Sequence, residues 1–324
     1  MPRFGRLRSN SKPRHLLLGV HPIPTLVTLG NLLCGFAAIV LAMRCSNPPA
    51  NFYNFNPNDC LRWASFLIFA AMIFDVMDGK IARWTKSASK FGMEMDSLAD
   101  IISFGVAPAV LVKAMIDQEL RIANSFPMLD RYIWPMLAIY VSCAALRLAR
   151  YNVESQTGHR DFFFGIPSPG AAGCAASLVI LILPGDHHVN IARLQEQMNA
   201  LDEWRASIYT PVLYAMPFIM LALGVLMVSR VHYPHIGDIL LRGRKSFMHV
   251  LVLGLGLVLI ALHSEIILTL SFNGYLIFGL FNELRYQIFP SQRPSSWTEI
   301  SITSDDTSPT PSGSATTSPD PPTS

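Results

Sequence analysis

From residue 24 onward the chain alternates long apolar runs with short polar breaks. About 20 consecutive apolar residues are needed for a helix to cross a bilayer. That criterion predicts about eight spans, at 24–43, 61–82, 95–116, 132–152, 166–184, 208–229, 247–263 and 266–284. The last two meet at His263-Ser264-Glu265 and predict a tight helical hairpin. The fold class that follows is all-α, a polytopic transmembrane helical bundle. Residues 1–23 read as a basic N-terminal arm, with too short an apolar stretch before Pro22 for a clear signal peptide. Residues 290–324 form a Ser/Thr/Pro-rich tail whose composition cannot bury a core and predicts disorder.

Composition agrees with this pattern. Of the 324 residues, 51% are hydrophobic and 15% charged, against about 25% charged in soluble domains. The net charge of +3 says little, but its distribution says more. Arg3, Arg6, Arg8, Lys12 and Arg14 lie in the arm. Lys80, Arg83, Lys86 and Lys90 lie at and after the end of the second span, and Arg147, Arg150 and Arg160 at and after the end of the fourth. By the positive-inside rule these segments face the cytoplasm. Five cysteines show no ligand spacing; Cys45 and Cys60 flank one proposed outer loop, which permits a disulfide without requiring one. His232, His235 and His249 are not spaced as metal ligands and read as interface or loop residues.

One stretch does not fit a purely structural reading. Asp75, Asp78, Asp96 and Asp100 sit at the ends of the second and third spans, at spacing D-x2-D-G-x2-A-R-x8-G-x3-D-x3-D. Helical periodicity puts Asp75, Asp78, Gly79 and Ala82 on one stripe, and Asp96 and Asp100 on another. The short connection predicts that the two helices are antiparallel neighbours with converging stripes. Four carboxylates brought close repel one another unless protonated or bridged by divalent cations. Oxygen ligands without His or Cys favour magnesium, manganese or calcium over zinc. Gly79 and Gly92 leave room for a bulky ligand to approach the backbone. Arg83 offers a planar cation suited to phosphate. The ensemble reads as a metal-and-phosphate site at the membrane–cytosol boundary.

The same stretch resembles the signature of the CDP-alcohol phosphotransferases at every defined position. TLGNLLCGF (28–36), FGVAPA (104–109), LRLARYN (146–152), FFFGIPSPGAAG (162–173) and LMVSRVHYP (226–234) resemble, within that family, the membrane-bound phosphatidylserine synthases. The resemblance covers roughly 24–245. It implies a membrane domain over those residues with a six-helix catalytic core, followed by an additional hairpin at 246–289. It implies transfer of a phosphatidyl group from CDP-diacylglycerol to the hydroxyl of L-serine, releasing CMP, at the cytoplasmic face of the cell membrane. Asp75, Asp78, Asp96 and Asp100 would hold Mg2+ or Mn2+, with Asp100 also the general base. Asp78, Gly79, Ala82, Arg83 and Gly92 would receive the CDP-diacylglycerol. The resemblance also implies a homodimer in membrane lipid; nucleic acid is not an expected partner.

Serine must be held by its ammonium and carboxylate. Arg147 and Arg150 end the fourth span and are the candidate carboxylate donors; Asn31, a buried amide in the first span, is a further candidate contact, and Arg160 and Ser168 follow in the next loop. Each also has a bland reading, as a positive-inside anchor, a helix start or a helix–helix amide. Alternative acceptors within the family are glycerol phosphate, inositol phosphate and choline. A divalent-cation transporter is the competing class, but the acidic residues cluster at one face and form no path across.

Overall fold

The computed structural model describes residues 22–46, 57–85, 90–123, 127–157, 165–183, 192–229 and 264–289. The described residues are helical: α1 (Pro22–Ser46), α2 (Pro57–Trp84), α3 (Lys90–Asp100), α4 (Ala107–Ala123), α5 (Pro127–Thr157), α6 (Ser168–Ile182), α7 (Ala192–Val228) and α8 (Ser264–Ile288). A π-helical segment, Ile101–Val106, joins α3 to α4 without a break. Two compact units are distinguished, Met1–Leu280 and Phe281–Ser324; the packing and the site described below lie in the first. Among the described residues, six helices are long and apolar enough to cross a membrane: Thr25–Cys45, Asn58–Ile81, Phe91–Gln118, Arg131–Val153, Ser207–Val228 and Glu265–Arg285. These coincide with six of the predicted spans. The predicted fifth span is the shorter α6, and 247–263 lies outside the described residues, as do the arm up to residue 21, the three histidines, Arg160 and the tail.

Small side chains let these helices approach. Ala38, Ala42, Ala64, Ala71, Ala171, Ala172, Ala175 and Ala176 are all buried, and between them pack Ile68, Leu111, Met115, Tyr140, Met216 and Met220. In a bilayer, close van der Waals packing at small residues replaces the hydrophobic drive of a soluble core. The outward side chains are apolar, among them Leu33, Phe36, Trp63, Ile73 and Phe218. Two ion pairs lie within the spans of the described residues. Lys113 bridges to Asp117 and lies over the Trp134 ring, and Arg62 pairs with Glu265 at 3.4 Å.

α1 is central to the site. It packs along α2 and also meets α3, the π segment and α4. The two aspartate-bearing helices therefore converge around α1, an arrangement that a simple hairpin of neighbours does not include. Gly35 permits this, because a Cβ there would stand 2.3 Å from the Ser103 hydroxyl. The π segment has its own support. Pro108 has no N–H to offer the Phe104 carbonyl in the α pattern, and that carbonyl accepts a 2.8 Å hydrogen bond from the buried Tyr140 hydroxyl. All five cysteines are free thiols; Cys45 and Cys60 are buried side by side between α1 and α2 and form no disulfide.

Candidate active site

Asp75 and Asp78 lie three residues apart near the end of α2, and Asp96 lies on α3. One carboxylate oxygen from each comes within 4.8 Å of the others. Asp78 is 5% exposed. Thr28, one turn before Asn31 on α1, hydrogen-bonds its carboxylate. The remaining oxygen, Oδ2 of Asp78, is buried without a hydrogen-bond partner, as is Oδ1 of Asp96. Burying unpaired carboxylate oxygens is costly. Two such oxygens facing a third carboxylate form a donor set that fits a hard divalent cation.

Asp100 stands one helical turn beyond Asp96, immediately before the π segment, and is 8% exposed. It is not among the three carboxylates grouped at the candidate metal position. Instead its Oδ1 accepts a 3.1 Å hydrogen bond from the side-chain amide of Asn31. Asn31 is fully buried, its backbone carbonyl accepts the Ser103 hydroxyl at 3.0 Å, and its Oδ1 has no hydrogen-bond partner. The π segment thus starts where the fourth carboxylate leaves the row of the other three. Such segments are frequent at functional sites.

The candidate acceptor residues separate. Arg147 turns inward, donates to the Ser168 hydroxyl at 3.0 Å and lies within electrostatic reach of Asp100. Its Nε is buried with no hydrogen-bond partner, which leaves a charged donor directed into the protein. Arg150, one turn on, is exposed. Asn152 exchanges hydrogen bonds with Ser97 at 2.9 and 3.3 Å, tying α5 to α3 beside Asp96. Gly79 is exposed, and a Cβ there would meet nothing within 4 Å, so open space adjoins Asp78. Ala82 and Arg83 fall in the last turn of α2, but their side chains lie outside the described residues; Gly92 is half-buried at the start of α3.

Sequence reasoning missed Thr28 and Ser97. Both lie in or beside quoted stretches, yet a hydroxyl in an apolar helix gives no signal until its partner is known. What the arrangement offers is a carboxylate triad with unpaired oxygens, a fourth carboxylate held by an amide, and an inward arginine beyond it.

A model of the CDP-alcohol phosphatidyltransferase family matches residues 21–232. The chain belongs to that family. It is 33% identical over 217 residues to the CDP-diacylglycerol–serine O-phosphatidyltransferase of Helicobacter pylori, covering 67% of this chain and 78% of that one. It is 32% identical to the Saccharomyces cerevisiae protein of that name over 166 residues, 49% of this chain and 54% of the other. The protein of that name from Methanocaldococcus jannaschii is 28% identical over 220 residues, covering 68% and 83%.

Proposed function

We propose that the protein transfers the phosphatidyl group of CDP-diacylglycerol to the hydroxyl of L-serine, giving phosphatidylserine and CMP. The observation that carries this reading is the carboxylate set in its family register, with an arginine donor unpaired at Nε beyond Asp100. The relatives' names favour serine over glycerol phosphate, inositol phosphate or choline.

Asp75, Asp78 and Asp96 would hold Mg2+ or Mn2+, and Asp100 borders that position. A divalent cation bound there supplies electrostatic stabilisation for the charge on the transferring phosphate and on departing CMP. Asp78, Gly79, Ala82, Arg83 and Gly92 receive the nucleotide, and the open space at Gly79 lets a pyrophosphate approach α2 closely. The serine hydroxyl attacks phosphorus as its proton passes to Asp100. The bond from phosphorus to the serine oxygen forms while the bond to the CMP oxygen breaks. Asn31 holds Asp100 toward this proton, and the unpaired Asn31 Oδ1 is an acceptor for the serine ammonium. Arg147, steadied by Ser168, binds the serine carboxylate; Arg150 is an interfacial anchor.

The distribution of lysine and arginine supports an active site facing the cytoplasm of the cell membrane. Residues 24–245 constitute the catalytic membrane domain in this reading, with 246–289 an added hairpin and a homodimer the expected assembly. The test is CMP release from CDP-diacylglycerol by purified protein with each candidate alcohol in turn. Release with serine above all others is expected; release only with another alcohol would overturn serine as the acceptor.

A further inference from the structure

α8 lies beyond residues 21–232, the part matched to the family, yet it is bound into the same unit by specific contacts. Glu265 pairs with Arg62 of α2 at 3.4 Å, and Arg62 also donates to the Leu183 carbonyl at the end of α6. Thr269 donates to the Ser177 carbonyl at 2.9 Å and Asn273 to the Ser177 hydroxyl at 3.1 Å. Cys174 donates to the Phe272 carbonyl at 3.3 Å. The Phe272 ring also lies over Gly173, where a Cβ would stand 2.3 Å from it, and against Phe69 at 5.4 Å between ring centroids. Polar groups in a membrane span are costly unless paired, and these are paired to α2 and α6.

The pairings fix a register. Glu265 reaches the Leu183 carbonyl at the end of α6 through Arg62, and as residue numbers rise along α8 to 269 and 272 the direct partners on α6 fall to 177 and 174. The helices are therefore antiparallel, and the next residues of α8 run toward the start of α6. That start is Ser168, the hydroxyl on which Arg147 rests. Tyr275, three residues after Phe272 on the same face, is half-buried there and within electrostatic reach of the Arg147 guanidinium.

We propose that α8 is part of the acceptor subsite: its seam with α6 and α2 directs the half-buried Tyr275 toward the start of α6, where Arg147 rests on Ser168, and Tyr275 is a positioning residue for that guanidinium. The inference rests on the reading of Arg147 as the donor to the acceptor's carboxylate. A tyrosine hydroxyl beside a buried arginine limits its rotation without neutralising it. The net positive charge stays available to an anionic group of the acceptor. A helix outside the family's matched region then tunes how the acceptor is held, while the carboxylate row is left to α2 and α3.

The test uses the full-length protein in detergent or liposomes, with Tyr275→Phe and Tyr275→Ala assayed by CMP release. Tyr275→Phe keeps the ring and removes the hydroxyl. Its expected effect is a serine KM raised about 3- to 10-fold, the range of one ordinary hydrogen bond, with kcat and the CDP-diacylglycerol KM near wild type. Tyr275→Ala should raise serine KM at least as far. A uniform fall in kcat for both variants with serine KM unchanged would mean packing alone and overturn the proposal, as would wild-type kinetics in Tyr275→Phe. If the unmodified protein releases CMP with serine, those outcomes count against Tyr275 alone. If it works only with a different alcohol, the serine reading fails, and the KM of that alcohol in Tyr275→Phe decides the role of Tyr275 by the same criterion.

Discussion

The side chain of Asn31 donates a 3.1 Å hydrogen bond to Asp100 across 69 residues of sequence, and neither group is more than 8% exposed. An amide from α1 therefore fixes the one carboxylate that stands apart from the other three. With Asn31→Ala the carboxylate keeps its place in the helix but loses that donor. A hydrogen bond to a charged group contributes about 1.5–3 kcal/mol, so kcat should fall roughly 10- to 150-fold while the CDP-diacylglycerol KM stays near wild type. Steady-state CMP release measures both.

Asp100→Asn tests the proposed role of Asp100 as the base. The variant should still bind CDP-diacylglycerol, measured by equilibrium binding to protein in nanodiscs. General-base assistance is typically about 100- to 10,000-fold, and CMP release should drop by at least that. Normal turnover in this variant would remove Asp100 from the proton transfer.

Asp75→Asn and Asp96→Asn should abolish binding of Mn2+, followed by calorimetry or electron paramagnetic resonance, together with activity. The wild-type protein should lose activity in a strong chelator and regain it with magnesium or manganese. Metal-free turnover would contradict the role given to the triad whose oxygens approach within 4.8 Å.

Arg147→Lys and Arg150→Lys should part company. Lysine keeps the charge but lacks the planar fork. Because Arg147 is the inward residue on Ser168 and Arg150 is exposed, only Arg147→Lys should raise serine KM, by roughly 10- to 150-fold for one charged hydrogen bond. Equal KM values for both variants would send the search for the carboxylate donor elsewhere.

Tyr140→Phe addresses the scaffold. It removes the hydroxyl that bonds the buried Phe104 carbonyl in the π segment. An unsatisfied buried acceptor costs about 1–3 kcal/mol, so the variant should unfold at a lower temperature in a detergent thermal melt. The unchanged Tm of a control at exposed Tyr132 would show that the effect is local.

The spans and the aspartate row were legible because both are periodic patterns within single helices. Apolar runs of the right length predicted α1, α2, α5 and the continuous α3–π–α4 span, and the i, i+3 and i+4 spacings put the carboxylates on shared stripes. What periodicity lacks is the identity of the neighbour. It carried no sign that α1 would pack against both aspartate helices and bring Thr28 to Asp78 and Asn31 to Asp100. Arg147 and Arg150 looked equivalent in the sequence because three residues apart on a helix is nearly the same face; only packing against α6 distinguishes them. The π segment was equally hidden, since one widened turn leaves composition unchanged.

α6 has 15 residues, and at about 1.5 Å per residue it rises only about 22 Å, well short of a hydrocarbon layer about 30 Å thick. Nearly every one of its side chains is enclosed by other helices, so the shortfall is not met by lipid. α6 is therefore a short helix enclosed by longer ones, and it starts at Ser168, where Arg147 donates its hydrogen bond. In the proposed reaction, a water-soluble acceptor would have less depth to descend at the short α6, while a lipid donor would enter from the bilayer. Two reactants that share no common solvent would then meet, in that reaction, beside one row of carboxylates.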